Sequence, residues 1–167
     1  MARDLILHPI PPIYDAHSKV LILGSFPSVK SREAAFFYGH PQNRFWRVLA
    51  AVYGEAVPES VEEKTAFLLR HHIALWDVIA SCSIEGSADS SIRDVVPNDL
   101  RPILELSGLR RICCNGKTAE ALYRKYLEPT LGIKALCLPS TSPANAAWSL
   151  ERLTAAWRCI GATPCIL

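Results

Sequence analysis

The fold of this chain is decided by the stretch Lys19-Val20-Leu21-Ile22-Leu23-Gly24-Ser25-Phe26-Pro27-Ser28. Its first half is a short apolar run, and its second half is a polar turn in which Pro27 restricts the backbone. A run of this length without polar alternation is typical of a strand that is buried on both faces of a parallel sheet. We therefore predict a buried strand over 19–24 that ends in a loop at the carboxyl edge of the sheet.

A second stretch repeats this pattern near the end of the chain. A mostly apolar run, 133–138, is followed by the polar segment Ser140-Thr141-Ser142-Pro143-Ala144-Asn145. Open α/β folds place their ligands outside the carboxyl ends of their strands. The two proline-containing loops are therefore expected to lie at one sheet edge and to clamp a ligand there.

The rest of the chain alternates between apolar runs and helical periodicity. The remaining predicted strands are 73–78, 111–114 and 134–138, and the predicted helices are 43–52, 60–71, 98–106, 116–126 and 150–157. Ser60 and Glu63 have the spacing of a capping box, and Ser83–Ser91 is predicted to be a polar loop. This order predicts an α/β fold: a single domain over 1–167, built as a three-layer αβα sandwich around a central, mostly parallel four-stranded sheet.

Composition excludes some classes of protein and leaves others open. The apolar runs are shorter than the roughly 20 residues of a membrane span, and the N-terminus lacks the apolar core of a signal peptide, which predicts a soluble cytoplasmic protein. Six cysteines without C-x-x-C spacing favour reduced structural thiols, so neither a metal nor a cofactor is expected. A net charge of +2 neither requires nor excludes nucleic acid, and a monomer is expected.

Five motifs together resemble a known family. They are Gly24-Ser25-Phe26-Pro27-Ser28, Phe37-Tyr38-Gly39-His40-Pro41-Gln42-Asn43-Arg44-Phe45-Trp46, Trp76-Asp77-Val78, Asn115-Gly116-Lys117 and Pro139-Ser140-Thr141-Ser142-Pro143-Ala144-Asn145-Ala146. In this order they resemble the uracil-DNA glycosylase superfamily, most closely its hypoxanthine-DNA (deoxyinosine) glycosylase family. The resemblance covers residues 18–157. It implies a monofunctional enzyme of base excision repair that hydrolyses the N-glycosidic bond of a flipped deaminated base, with DNA containing that base as its partner.

Two positions depart from the uracil-excising branches of that superfamily. Those branches place Asp or Asn third in the first loop and His or Asn at the start of the second, whereas this chain has Phe26 and Ser140. Alternative functions are therefore a uracil or mismatch-type glycosylase and a non-catalytic protein that binds damaged DNA. A small-molecule phosphate or nucleotide enzyme is a third class, but the chain has neither G-x-x-x-x-G-K-[ST] nor G-x-G-x-x-G.

Three polar residues are the candidate catalytic groups: Asn43, Asp77 and Asn115. The resemblance implies that Asn43 is catalytic, and its amide can both donate to the leaving base and accept from a water. Its structural alternative is a helix cap. Asp77 could hold a water or contact the base edge, or simply cap a surface turn, and Asn115 could read a purine or only begin a turn.

The remaining candidates would hold the base and the DNA backbone. Gly24, Ser25, Phe26 and Tyr38 are assigned to the base pocket, with Phe26 as the first choice to stack on the base. The DNA-binding set is Pro27, Ser28, Lys30, Lys117, Ser140, Thr141, Ser142, Pro143 and Asn145, and Arg44 is a further cation beside the motifs. The place that matches the family's bulky wedge holds only Ala144, so no plug residue is identified.

Overall fold

The elements pack around a parallel sheet in a computed structural model that describes residues 4–85 and 91–161. The strands are β1 Asp4–Leu7, β2 Val20–Gly24, β3 Ile73–Asp77, β4 Ile79–Ile84, β5 Arg93–Pro97, β6 Arg111–Asn115 and β7 Ala135–Leu138. The helices are α1 Val29–Ala34, α2 Phe45–Tyr53, α3 Val61–Arg70, α4 Arg101–Ser107, α5 Lys117–Tyr126, α6 Glu128–Leu131 and α7 Leu150–Trp157, followed by a 3-10 turn at Arg158–Gly161.

The central sheet has four parallel strands in the order β3-β2-β6-β7. Its register pairs Gly24, the last residue of β2, with Asp77, the last residue of β3. On the other side of β2, strand β6 ends at Asn115, which pairs with Leu138 of β7. The parallel register therefore brings a glycine, a carboxylate and an amide to one edge of the sheet.

Both faces of this sheet are buried, as the apolar runs predict. Along β2, Val20 and Ile22 pack into one apolar cluster, which also contains side chains of α2, α3 and α7. Leu21 and Leu23 point the opposite way, into a second cluster with side chains of α4 and α5. The predicted α/β fold with a four-stranded parallel sheet between helices is thus confirmed.

A second sheet, which the sequence did not predict, covers part of one face. Strands β1, β4 and β5 form a three-stranded antiparallel sheet in the order β1-β4-β5. The predicted polar loop over Ser83–Ser91 is wrong at its start, because Ser83 lies in β4 and pairs with Leu5. Ser83 is itself buried, between the buried residues Cys82 and Ile84, so the polar composition of this segment does not reflect exposure. Residues 86–90 of that segment lie outside the described residues.

The predicted helix starts are close to the observed ones. At α3, the Ser60 Oγ accepts a hydrogen bond from the Glu63 backbone N–H at 3.0 Å, which confirms the cap. The Glu63 carboxylate accepts from the backbone N–H of Glu59, one residue earlier than in the standard capping box. Helix α2 begins at Phe45, two residues after its predicted start, so Asn43 precedes the helix.

The cysteines and the helix lengths give two further findings. Within the described residues, Cys82, Cys113 and Cys114 are buried free thiols, and Cys137 and Cys159 are half-buried free thiols. Cys165 lies outside the described residues. No helix in 4–85 or 91–161 is long and apolar enough to cross a membrane.

Replacing Ser60 by alanine should lower the free energy of unfolding by about 1 kcal/mol, because the Glu63 N–H loses its acceptor at the start of α3. Chemical denaturation measures this change. Ser60→Asp retains an acceptor and should keep the stability of the original chain. Equal stability of all three proteins would show that this cap contributes nothing.

Candidate active site

A cleft of about 690 Å³ opens at the carboxyl edge of the parallel sheet. All of the predicted site residues except Asn145 line it, namely Gly24, Ser25, Phe26, Pro27, Ser28, Lys30, Tyr38, Asn43, Asp77, Asn115, Lys117, Ser140, Thr141, Ser142 and Pro143. Both proline-containing loops line the cleft, and the ends of β2, β3 and β6 contribute Gly24, Asp77 and Asn115. The structure thus brings together residues that are up to 119 positions apart in the range 24–143.

A chain of hydrogen bonds connects three of these polar residues. The Asn115 Nδ2 donates to the Thr141 hydroxyl at 3.0 Å, and that hydroxyl donates to the Asn43 Oδ1 at 2.8 Å. The backbone N–H of Thr141 also donates back to the Asn115 Oδ1 at 3.0 Å. The end of β6, the second loop and the segment before α2 are therefore tied to one another through side chains.

Asn43 has both a structural role and a free functional group. Its Oδ1 accepts from Thr141 and also from the backbone N–H of Phe45 at 2.9 Å, so the helix-capping alternative describes its oxygen correctly. Because the Phe45 N–H can only donate, the amide atom that faces it must be the oxygen, and the Nδ2 points the other way. No group within 4–85 or 91–161 bonds to the Asn43 Nδ2. The Asn43 Nδ2 can therefore donate a hydrogen bond to a ligand in the cleft, whereas the Oδ1 has already accepted two and is not available.

Thr141 was expected to bind DNA, and the structure gives it another role. Its exposed fraction is 0%. Both its N–H and its hydroxyl are used inside the protein, so neither is free to contact a phosphate. Asn145 is similar, because its Nδ2 donates to the Ser140 carbonyl at 3.0 Å within the same loop and it does not line the cleft.

Arg44 stabilises the second loop, which corrects its expected contact with phosphate. Its guanidinium donates to the carbonyl oxygens of Ser142 at 3.0 Å and Asn145 at 3.1 Å, and to that of Trp148. Its backbone N–H donates to the Thr141 carbonyl. The planar fork of guanidinium donors suits such a set of carbonyls, and three of its five N–H donors are used within the protein.

Asp77 lies at the floor of the cleft and is 4% exposed. The alternative of a surface carboxylate is therefore wrong. The Asp77 Oδ2 accepts a hydrogen bond from the His8 Nε2 at 2.7 Å, whereas the Oδ1 has no hydrogen-bond partner in the described ranges and lies against Gly24. A Cβ at residue 24 would overlap that oxygen, so only glycine fits there.

His8 is the site residue that the sequence did not reveal. It follows β1, a strand absent from the predicted elements, and its partner Asp77 is 69 positions away. Its ring lies among three aromatic side chains, with centroid distances of 5.8 Å to Phe26, 6.2 Å to Phe37 and 6.2 Å to Trp76. A single histidine before a proline has no spacing pattern that could have marked it.

Tyr38 presents its hydroxyl rather than its ring. One ring face is stacked on Phe45 at 4.0 Å, and the backbone adopts a positive φ of 53°. The buried hydroxyl has no hydrogen-bond partner among the described residues, and it lies 3.0 Å from the Cβ position of Gly24, beside Asp77. Burial, and then the charge of Asp77, raises the pKa of Tyr38 far above its usual value, so the hydroxyl keeps its proton.

The positive charges lie at the rim. The Lys30 side chain is 61% exposed and its Nζ is 3.8 Å from the Glu33 carboxylate, and Lys117 is also exposed at the first turn of α5. That helix has no side-chain cap, which leaves its first N–H groups open towards the cleft. Ser28, in contrast, caps α1 by accepting from the Ser31 N–H.

In the described part of the chain, no group of three or more His, Cys, Asp or Glu side chains is arranged to hold a metal.

Comparison with known proteins gives a consistent result. The model of the Uracil DNA glycosylase superfamily matches residues 11–161. The chain is 39% identical over 150 residues to a hypoxanthine DNA glycosylase of Methanosarcina acetivorans, covering 89% of this chain and 94% of the relative. It is 33% identical over 149 residues to a hypoxanthine DNA glycosylase of Methanosarcina barkeri, covering 88% and 92%. The solution NMR structure of a candidate uracil DNA glycosylase from M. acetivorans superposes with a TM-score of 0.76 at 36% identity, covering 92% and 97%.

Replacing Thr141 by valine should lower the free energy of unfolding by about 1 to 3 kcal/mol, because the Asn115 amide loses its acceptor in a buried position. Thr141→Ser keeps the hydroxyl and should lose much less stability. Denaturant titrations of the two variants make the comparison. If valine were as stable as serine here, the hydroxyl bridge would contribute nothing to the fold.

Proposed function

This chain belongs to the uracil DNA glycosylase superfamily, and we propose that it is a monofunctional DNA glycosylase that hydrolyses the N-glycosidic bond of hypoxanthine in DNA. One observation carries the proposal: Asn43 lines the cleft with a free amide donor, while Phe26 and Ser140 occupy the positions of the usual polar groups. Two relatives that match most of the chain are named hypoxanthine DNA glycosylases, which supports this choice of base.

The proposed role of Asn43 follows from the charge that develops during the reaction. As the glycosidic bond breaks, negative charge accumulates on the departing base and positive charge on the sugar. A donor that is already oriented toward the base stabilises this charge without reorganisation. The bonds from Phe45 and Thr141 hold the Asn43 oxygen, so the Nδ2 is fixed in the orientation that this role needs.

The floor of the cleft carries a donor and an acceptor side by side. Hypoxanthine presents an N1–H donor and an O6 acceptor, whereas adenine presents an N1 acceptor and an N6 donor. We assign the N1–H to the free Oδ1 of Asp77 and the O6 to the hydroxyl of Tyr38, because both groups converge on Gly24 and neither has a protein partner in 4–85 or 91–161. Adenine would place its N1 acceptor against the Asp77 Oδ1, which is also an acceptor, and a buried site rejects such an unpaired contact strongly.

The remaining contacts would hold the flipped nucleotide. Phe26 lines the cleft and is half-buried, so its ring can stack on the base at roughly 1 to 3 kcal/mol. We assign the DNA backbone to the rim formed by Ser28, Lys30, Lys117, Ser140 and Ser142, with Pro27 and Pro143 shaping the two loops. We propose that the protein acts as a monomer.

Hydrolysis by water, rather than a covalent lyase reaction, fits the lysines at the cleft. An amine nucleophile is usually activated by desolvation in an apolar pocket or by a neighbouring cation. Lys30 is mostly exposed and lies near an acidic side chain, and Lys117 is exposed. Both are better suited to neutralising phosphates than to forming a Schiff base.

A lesion panel tests the proposed function. Matched duplexes that carry one deoxyinosine, deoxyuridine or deoxyxanthosine are incubated with the protein, and abasic sites are then cleaved with alkali. We expect breaks at deoxyinosine, and only background on an undamaged duplex. Breaks only at deoxyuridine would select a uracil glycosylase instead. Retention of damaged DNA in a gel shift without any breaks would indicate a protein that binds lesions and does not cut them.

Asn43→Asp should reduce the single-turnover rate on deoxyinosine at least about tenfold, because aspartate keeps both acceptor bonds but replaces the donor with a charged oxygen. Rates are measured at saturating protein, so that weaker DNA binding does not contribute. Asn43→Ala should also be slow, and it should additionally lose about 0.5 to 2 kcal/mol of stability with the cap.

Gln42→Glu is the matched control for charge, since its exposed side chain adds the same negative charge one residue away. It should retain most of the saturated single-turnover rate. A fully active Asn43→Asp variant would remove the amide donor from the mechanism, and an equally slow Gln42→Glu variant would assign the loss to charge alone.

A further inference from the structure

We propose that His8 is a positioning residue: its Nε2–H holds the Asp77 Oδ2 in place, so that the Asp77 Oδ1 stays free at the floor of the cleft to accept from the N1–H of the base. The proposal rests on the function proposed above. It starts from the 2.7 Å contact between the His8 Nε2 and the Asp77 Oδ2, whose side chains are 4% and 5% exposed. This is a buried pair, largely shielded from solvent.

The tautomer of His8 follows from its second nitrogen. The backbone N–H of Ile10 donates to the His8 Nδ1 at 3.1 Å, so that nitrogen carries a lone pair and no proton. The proton of the neutral ring therefore lies on Nε2, where it is donated to Asp77. His8 thus acts as a neutral donor, and this bond requires no protonated imidazole.

The surroundings make this donor important. Aromatic rings of Phe26, Phe37 and Trp76 surround the imidazole, and His8 is the one side chain in the described residues that hydrogen-bonds to the Asp77 carboxylate. Without the bond from His8, the Asp77 side chain loses the contact that fixes its orientation, and its Oδ1 is no longer held opposite the N1–H of the base.

The other ionisable groups near this floor do not replace His8. Burial raises the pKa values of Tyr38 and Cys114, so both stay neutral at physiological pH. From α1, the Arg32 guanidinium lies over the ring of Phe26, 5.5 Å from its centroid, with Phe26 in turn packed against His8. Among these groups, only His8 donates to the carboxylate.

The second sheet explains how His8 reaches this place. The backbone N–H of His8 donates to the Ala80 carbonyl of β4 at 2.7 Å, directly after the β1 pairing of Leu7 with Ser81. Strand β4 follows β3 after one residue. The strand to which His8 is hydrogen-bonded therefore begins two residues after Asp77. On this proposal, the antiparallel sheet places His8 against Asp77 at the base pocket.

Three variants test the proposal: His8→Leu removes the donor, His8→Gln retains an N–H at a similar reach, and Asp77→Asn removes the carboxylate. Single-turnover rates on deoxyinosine and Kd values for the same duplex are measured separately. We expect His8→Leu to reduce the rate at least about tenfold with a small change in Kd, and His8→Gln to restore it to within about threefold of the original protein. The double variant His8→Leu/Asp77→Asn should be no slower than Asp77→Asn alone, because His8 acts through Asp77.

The outcomes separate the two claims. If the unaltered protein releases no hypoxanthine, the proposed function fails, and the role of His8 in it fails as well. If that protein is active and His8→Leu keeps its full rate, or if the two losses multiply in the double variant, only the inference on His8 is overturned. A His8→Gln variant that folds, by its thermal unfolding curve, but remains as slow as His8→Leu also overturns it. Ring 15N shifts of His8 must show the neutral Nε2–H tautomer, and an Nδ1–H tautomer would contradict the proposal in any case.

Discussion

A single buried hydroxyl, that of Thr141, connects the three segments that form the cleft. It accepts from Asn115 at the end of β6 and donates to Asn43 before α2, while its own backbone N–H returns to Asn115. Because a hydroxyl has one proton, its donation to Asn43 is determined by the donor that it receives from Asn115. Since each donor in this series of hydrogen bonds is assigned, the Asn43 Nδ2 is the group that remains able to donate to a ligand.

Arg44 also ties distant segments together, through hydrogen bonds from its guanidinium to backbone carbonyls. Three carbonyl oxygens of the second loop converge on its guanidinium, so the loop conformation depends on a residue almost a hundred positions earlier. The adjacent Asn43 is thereby placed against the same loop. Arg44 therefore fixes the loop, and its neighbour Asn43, on the proposed function, faces the base.

On the proposed function, groups from other elements do the work of the polar groups that the uracil-excising branches place in these two loops. Where Asp or Asn would follow the first strand, Phe26 offers a stacking surface; an acidic group stands instead at the end of the neighbouring strand, as Asp77. Gly24 makes this exchange feasible, since any side chain there would overlap the carboxylate. The position of the Asp77 carboxylate thus depends on the absence of a side chain at Gly24 and on the bond from His8.

Local pattern was enough to predict the parallel sheet, the helices on both of its faces and most of the residues that line the cleft. Apolar runs such as 20–24 can be buried on both faces only in such a sheet, and strand ends determine where loops meet, so these features follow from short segments. Ser60 and its cap were predictable for the same reason. The antiparallel sheet, His8, the bridging role of Thr141 and the clamp of Arg44 were decided only by the tertiary structure. His8 lies 69 positions from Asp77, Thr141 lies 98 from Asn43, and Arg44 lies 104 from Trp148. A hydrogen bond over such a separation is determined by packing, which no local pattern of residues records.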